Sequence, residues 1–191
     1  MDDLNIINKQ LTRIRAMNKF YHQQFLLDVR IFLILTISLF YLTFTNNKVF
    51  LLLPPVCLFG AILLAFHSHY LIFSRYYSEY LEKKINNLSN KNVLITHKLE
   101  NDYFFSIKDK KLVVANIGKK FTWFSFVTLF ITFMGIFIYI YSINQVIQSN
   151  LGQNYLLFMF LITLITLIIG IWWFLLGNGE KRLEKIFNEY R

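Results

Sequence analysis

The sequence predicts an all-α integral membrane protein: four transmembrane helices in two hairpins, with cytoplasmic amphipathic helices and a small β-hairpin or meander. Three observations predict it. Of 191 residues, 55% are hydrophobic and 16% charged, with a mean hydropathy of +0.44, whereas soluble domains carry about a quarter charged residues. Four segments, about Leu27 to Thr45, Phe50 to Phe73, Phe121 to Ile143 and Tyr155 to Leu176, reach the roughly 20 apolar residues that a helix needs to cross a hydrocarbon core. Of 20 Lys and Arg, Lys48 alone falls in the connections that join the first span to the second and the third to the fourth. The positive-inside rule therefore places both termini and the central connection in the cytoplasm.

Residues 1–26 form the first element, a cytoplasmic helix. Leu4, Ile7, Leu11, Ile14, Met17, Tyr21 and Phe25 recur at helical spacing, with Lys9, Arg13, Arg15 and Lys19 between them. This helix is expected to pack on the protein's other cytoplasmic helices, the alternatives being anionic lipid or a partner helix. The stretch is polar and mixed in charge, unlike a cleavable signal peptide, so the first span is expected to direct its own insertion.

Residues 27–73 form the first transmembrane hairpin, closed by Asn46-Asn47-Lys48. Pro54-Pro55 lies about a turn into the second span. Either the regular helix starts there after an extended or re-entrant approach, or the pair kinks it. At the inner end, either Asp28 pairs with Arg75 and Arg30 snorkels to the headgroups, or both simply anchor the interface. Cys57, the single cysteine, excludes an internal disulfide and reads as a small packing residue.

Residues 74–120 carry the second helix onward and then a short β element. Phe73, Tyr77, Tyr80, Leu81, Ile85 and Leu88 form an apolar and aromatic face, and Glu79 stands four residues before Lys83 on the wet side. The helix is thus a rigid lever from membrane to cytosol. Arg75, Tyr77, Tyr80, Leu81, Lys83, Lys84 and Ile85 are the candidate face for a cytosolic protein partner or for coupling to the spans, with packing on the amino-terminal helix as the simpler use. Val93–Leu99, Tyr103–Ile107 and Leu112–Ala115 are rich in β-branched and aromatic residues, and two or three short antiparallel strands are expected there.

Residues 121–176 form the second hairpin, and its two helices carry a small and weakly polar seam. Ser125, Thr128, Thr132, Gly135, Tyr139 and Ser142 recur at three and four in the third span; Thr163, Thr166, Gly170, Trp173 and Gly177 do so in the fourth. Such seams serve close helix packing; in a homo-oligomer with the seams turned to a shared axis they line a polar pathway. Gly177-Asn178-Gly179 is expected to end the fourth helix. Residues 177–191 then form a terminal helix with Leu183, Ile186, Phe187 and Tyr190 on one stripe. Leu81-Glu82-Lys83-Lys84-Ile85-Asn86 and Leu183-Glu184-Lys185-Ile186-Phe187-Asn188 give the two hairpins a related ending, which either duplication or chance explains.

Candidate chemistry is sparse. No Asp, Glu, Lys or Arg occurs from Phe121 to Gly179 or from Ile31 to Asn47, which argues against an ion-coupled transporter or an intramembrane hydrolase, both of which need ionisable groups at membrane depth. His67 and His69 stand two apart and diverge on a helix, so they cannot share one metal. His22 and His97 have no thiol or carboxylate pattern beside them. No catalytic, cofactor-binding or metal-ligating residue is assigned. The net charge of +9 follows from topology and does not call for nucleic acid; the partners expected are the lipid bilayer, further copies of the chain and a cytosolic protein.

In size, span number and small cytoplasmic β element, the chain resembles the four-span membrane proteins encoded beside bacterial antiviral systems, both accessory proteins of RNA-targeting CRISPR nucleases and membrane effectors of nucleotide-signalling defence. The resemblance lies in the architecture of the whole chain and supplies no site residue. It implies a non-enzymatic oligomer of the inner membrane that perturbs the bilayer, in a channel-like manner, when a cytoplasmic event triggers it. The competing expectation is an anchor that recruits a soluble partner through Tyr76 to Ala115.

Overall fold

The computed structural model describes residues 2–106, 111–112, 115–116, 118, 121–150 and 152–189. Four of its helices are long and apolar enough to cross a membrane. Helix α1 runs unbroken over Asp2–Leu42, because no Gly or Pro interrupts it. Its 41 residues extend about 60 Å, so the amphipathic segment and the first span are one rod. A 3-10 turn, Asn47–Leu51, follows, capped by the Asn46 side chain, which accepts from the Lys48 N–H. Helix α2 covers Leu53–Ser89, with Pro54 and Pro55 in its first positions. The prolines therefore start the helix and do not kink it, because a missing N–H costs nothing in a first turn. The Tyr155 hydroxyl donates to the Leu51 carbonyl at 2.7 Å and so satisfies a backbone group of the approach.

Helices α1 and α2 lie antiparallel and share the most extensive interface of the fold. Apolar clusters follow one another along it. At the basic pole, Ile7, Leu11 and Ile14 meet Leu81. In the middle, Phe25, Leu71, Ile72 and Tyr76 gather with Phe105 and Leu183. Toward the other pole, Phe32, Leu53 and Cys57 pack on Ile131, Ile138 and Val146.

Helix α2 ends at Asn90, left-handed at φ 50°, and the chain turns back into α3, Thr96–Tyr103. Here the expected strands Val93–Leu99 and Tyr103–Ile107 do not form. The Asn86 side chain binds the Val93 and Leu94 N–H groups and the Leu94 carbonyl, and the Glu82 carboxylate accepts from the His97 N–H. With its backbone claimed by α2, the segment coils, so tertiary contacts override β-propensity. Among the described residues, sheet structure is confined to β1, Lys111–Leu112, paired antiparallel with β2, Ala115–Asn116. Val113, Val114, Ile107 and the turn residues Lys108 to Lys110 lie outside the described residues.

Helix α4, Trp123–Gln148, opens with the Thr122 side chain accepting from the Ser125 N–H. Helix α5, Gln153–Gly170, passes into a π turn, Ile171–Leu175, before α6, Asn178–Glu189. Gly177, at φ 66°, makes the break between them, as its sequence predicts. Leu183 and Phe187 bring α6 onto the middle cluster; Ile186 is exposed, and Tyr190 lies outside the described residues.

Candidate functional site: an interhelical cavity and a charged cluster

A cavity of about 520 Å³ lies among α1, α2, α4 and α5. The seam residues Thr128, Thr132, Gly135, Thr163 and Thr166 line it, together with Tyr139. Five seam residues do not: Ser125, Ser142, Gly170, Trp173 and Gly177. Ser125 is fully buried in the opening turn of α4. Ser142 is fully buried toward the far pole, its hydroxyl without a hydrogen-bond partner among the described residues. Gly170 has open space where a Cβ would stand.

The wall is less polar than its sequence suggests. Thr128 Oγ1 donates to the Phe124 and Ser125 carbonyls, each at 3.0 Å, and Thr132 Oγ1 to the Thr128 carbonyl at 2.8 Å. Thr163 Oγ1 donates to the Met159 carbonyl at 2.7 Å and stands 2.6 Å from Tyr139 Oη. Its proton being committed, Tyr139 is the donor in that second bond, which ties α4 to α5. These hydroxyls thus serve their own helices and neighbours, leaving apolar surface toward the space. Gly135 is a packing residue: a Cβ there would stand 3.3 Å from Phe32, and one on Gly60 would stand 2.5 Å from it. Phe32 fills the gap that the two glycines leave between α2 and α4.

Toward the basic pole, α2 carries a second, polar stripe at helical spacing: Arg75, Ser78, Glu82 and Asn86, all buried. Glu82 Oε1 accepts from Arg15 of α1 at 2.8 Å, and Glu82 Oε2 stands 2.8 Å from His97 Nδ1 and 3.1 Å from the His97 backbone nitrogen. A single carboxylate thus joins α1, α2 and α3. Burial works against its ionisation, but the bonds from Arg15 and His97 outweigh it and hold the carboxyl below its ordinary range. Arg75 donates to Glu100 at 3.2 Å, Asn101 at 3.1 Å and the Phe105 carbonyl at 2.6 Å, with its guanidinium 4.2 Å from the Phe105 ring centre. Burial raises the Glu100 carboxyl despite Arg75. An Asp28–Arg75 pair is therefore absent: Arg75 turns outward to α3, and Asp28 pairs with His67.

The candidate coupling face meets the protein itself. Leu81 is buried against Ile7, Leu11 and Ile14, with Tyr77, Tyr80 and Ile85 packed beside it. The Phe187 ring of α6 stacks on Tyr77 and Tyr80 at 5.9 and 5.3 Å. Lys83 bonds Glu79 four residues back, and Lys84 lies 5.8 Å from the Tyr80 ring centre. Glu79 is itself buried, so that pair does not stand on a fully wet side.

His67 faces Asp28, whereas His69 accepts from Trp173 Nε1 at 3.1 Å, so the two rings serve different helices. Gly179 lies so close to Trp173 that a Cβ would stand 2.6 Å from its nitrogen. Among the described residues no three His, Cys, Asp or Glu converge as metal ligands do. Sequence reasoning did not single out Glu82, Asn86 or His97. The signal present was the spacing of Arg75, Glu82 and Asn86, seven and then four residues apart, which stacks polar groups along one helix face. No family model matches the chain, and no curated protein or solved structure matches it.

Proposed function

We propose that this chain is a non-enzymatic, homo-oligomeric membrane effector, set in a bacterial inner membrane with both termini and the central connection in the cytoplasm. It acts on the bilayer in a channel-like or membrane-perturbing manner under control from its cytoplasmic layer. The observation that carries this reading is the continuity of α2. One helix lines the cavity with Cys57, Ala61, Ala65 and Ser68 and then, without a break, presents Arg75, Glu82 and Asn86 to α1 and α3. A rearrangement of the charged cluster displaces a cavity wall, because a helix transmits rotation and translation along its axis. Defence against phage is the setting that the architectural resemblance implies.

Dye and ion release from proteoliposomes tests this. Glu82→Gln is expected to raise release by loosening the cluster, and Thr128→Leu with Thr132→Leu to lower it while assembly persists. Release unchanged from protein-free vesicles in all three proteins would overturn the reading. An anchor for a cytosolic protein is the second reading, favoured by the exposed apolar side chains of Val93, Ile95, Leu99 and Tyr103 around α3. Loss of a co-purifying protein on substituting these residues, without any release activity, would select it.

A further inference from the structure

Helices α4 and α5 follow one another in the chain yet stand apart for most of their length, bridged by the bond between Tyr139 and Thr163. The cavity of about 520 Å³ occupies that gap against α2. Of the residues that line it, Ala61, Thr132, Ile136 and Leu167 are exposed, so it opens sideways between the helices. Toward the basic pole it is shut where Phe25, Leu71, Phe105 and Phe124 pack together. Among the described residues, no Asp, Glu, Lys, Arg or His lines it. Its wall hydroxyls fall into two groups. Thr128, Thr132 and Thr163 give their protons to carbonyls of their own helices, and Tyr139 gives its proton to Thr163. Ser68 of α2 and Thr166 of α5 have no hydrogen-bond partner among the described residues. Thr166 is half-buried, whereas Ser68 is 1% exposed, and a hydroxyl buried that deeply is costly to leave unpaired.

We propose that this cavity holds an uncharged, single-chain lipid that presents one oxygen acceptor to Ser68 Oγ and lays its hydrocarbon along α2 toward Cys57. Each part of the ligand follows from the wall. A charged head would find no counter-charge there and is excluded by its desolvation. A hydrocarbon chain meets apolar side chains and hydroxyls already committed to carbonyls, so it strands no donor among Thr128, Thr132 and Thr163. The ligand's oxygen gives Ser68 the acceptor that the protein does not supply. From Ser68 to Cys57, both in the lining, α2 advances about 16 Å, so the space suits an extended chain better than a compact ring. Its volume lies within the range of roughly 300–1,000 Å³ typical of small-molecule pockets.

Photolabelling of the full chain in phosphatidylcholine vesicles tests the site. The probe is a diazirine-bearing tetradecanol, labelled peptides are mapped by mass spectrometry, and unlabelled tetradecanol and tetradecane compete. Labelling is expected at Ala61, Ala65 and Thr132, and tetradecanol is expected to displace the probe at a roughly tenfold lower concentration than tetradecane. Ser68→Ala should abolish that advantage and leave displacement by tetradecane unchanged. Its unfolding midpoint without probe should be no lower than that of the native chain, because the hydroxyl it removes has no partner. Ala61→Phe, at the exposed mouth, should reduce labelling by filling the space, with thermal unfolding showing that the variant remains folded. Labelling spread over Leu161 and Ile165, exposed on α5 outside the cavity, and displaced by neither competitor would overturn the proposal, since it marks ordinary contact with the bilayer. So would an advantage for tetradecanol that survives Ser68→Ala, or a lowered midpoint in that variant, which would give the hydroxyl a partner within the protein.

Discussion

The two hairpins carry nearly the same string and treat it in opposite ways. In the first, Leu81-Glu82-Lys83 buries Glu82 completely and makes it the joint of three helices; in the second, Leu183-Glu184-Lys185 leaves Glu184 exposed. The difference extends along the spans. The most apolar windows of α1 and α2 are each 22% buried inside the protein, whereas in the second hairpin that of α4 is 17% buried and that of the segment from α5 through α6 is 6% buried. Met159 is the buried residue of α5. The first hairpin is thus covered more by the chain's own contacts, and the second, above all α5, leaves more of its surface uncovered. A charged string acquires meaning only when another element covers it.

Paired substitutions probe that contrast. The largest expected effect is at Glu82: Glu82→Gln should cost about 3 kcal/mol by leaving its buried partners uncompensated, while Glu184→Gln should stay within about 0.5 kcal/mol, both read by unfolding in detergent. Acid titration addresses the same cluster. The Glu82 carboxyl lies below its ordinary range, so its contribution is complete at neutral pH and is lost as pH falls through that lowered value. Glu100 is raised, so protonating it in mild acid adds stability. Stability should therefore rise on mild acidification and fall in stronger acid; Glu100→Gln removes the rise and Glu82→Gln the fall. A monotonic profile in the native chain would refute this division of roles.

The packing contrast is tested by glycine. Gly60→Ala drives a Cβ into Phe32 and should cost about 1–3 kcal/mol by overpacking. Gly170→Ala meets nothing within 4 Å and has ordinary helical angles. It should be neutral or stabilising by up to about 1 kcal/mol, from helix propensity alone. A larger loss at Gly170, seen only at high protein concentration, would locate a contact between copies on α5.

The spans were legible because hydrocarbon admits only chains whose backbone is satisfied internally, and a run of some twenty apolar residues reports that directly. The same logic made Gly177 a helix end and Pro54-Pro55 a candidate helix start. The segment after Asn90 was not legible, since the β-branched residues of Val93 to Leu99 favour strands until Asn86 and Glu82 engage their backbone. The seam was half legible. Its spacing is in the chain, but which hydroxyls face a cavity and which lie against a neighbouring helix depends on how α4 rotates against Phe32.

The sequence by itself determined that four helices are long and apolar enough to cross a membrane, where they break and where the basic charge collects, because these follow from composition and period along one helix. Only the tertiary structure decided that Arg75 turns to Glu100 and Asp28 to His67, that Glu82 is the buried joint, and that a cavity opens among α1, α2, α4 and α5. Those depend on distances between helices far apart in the chain, which no local pattern encodes.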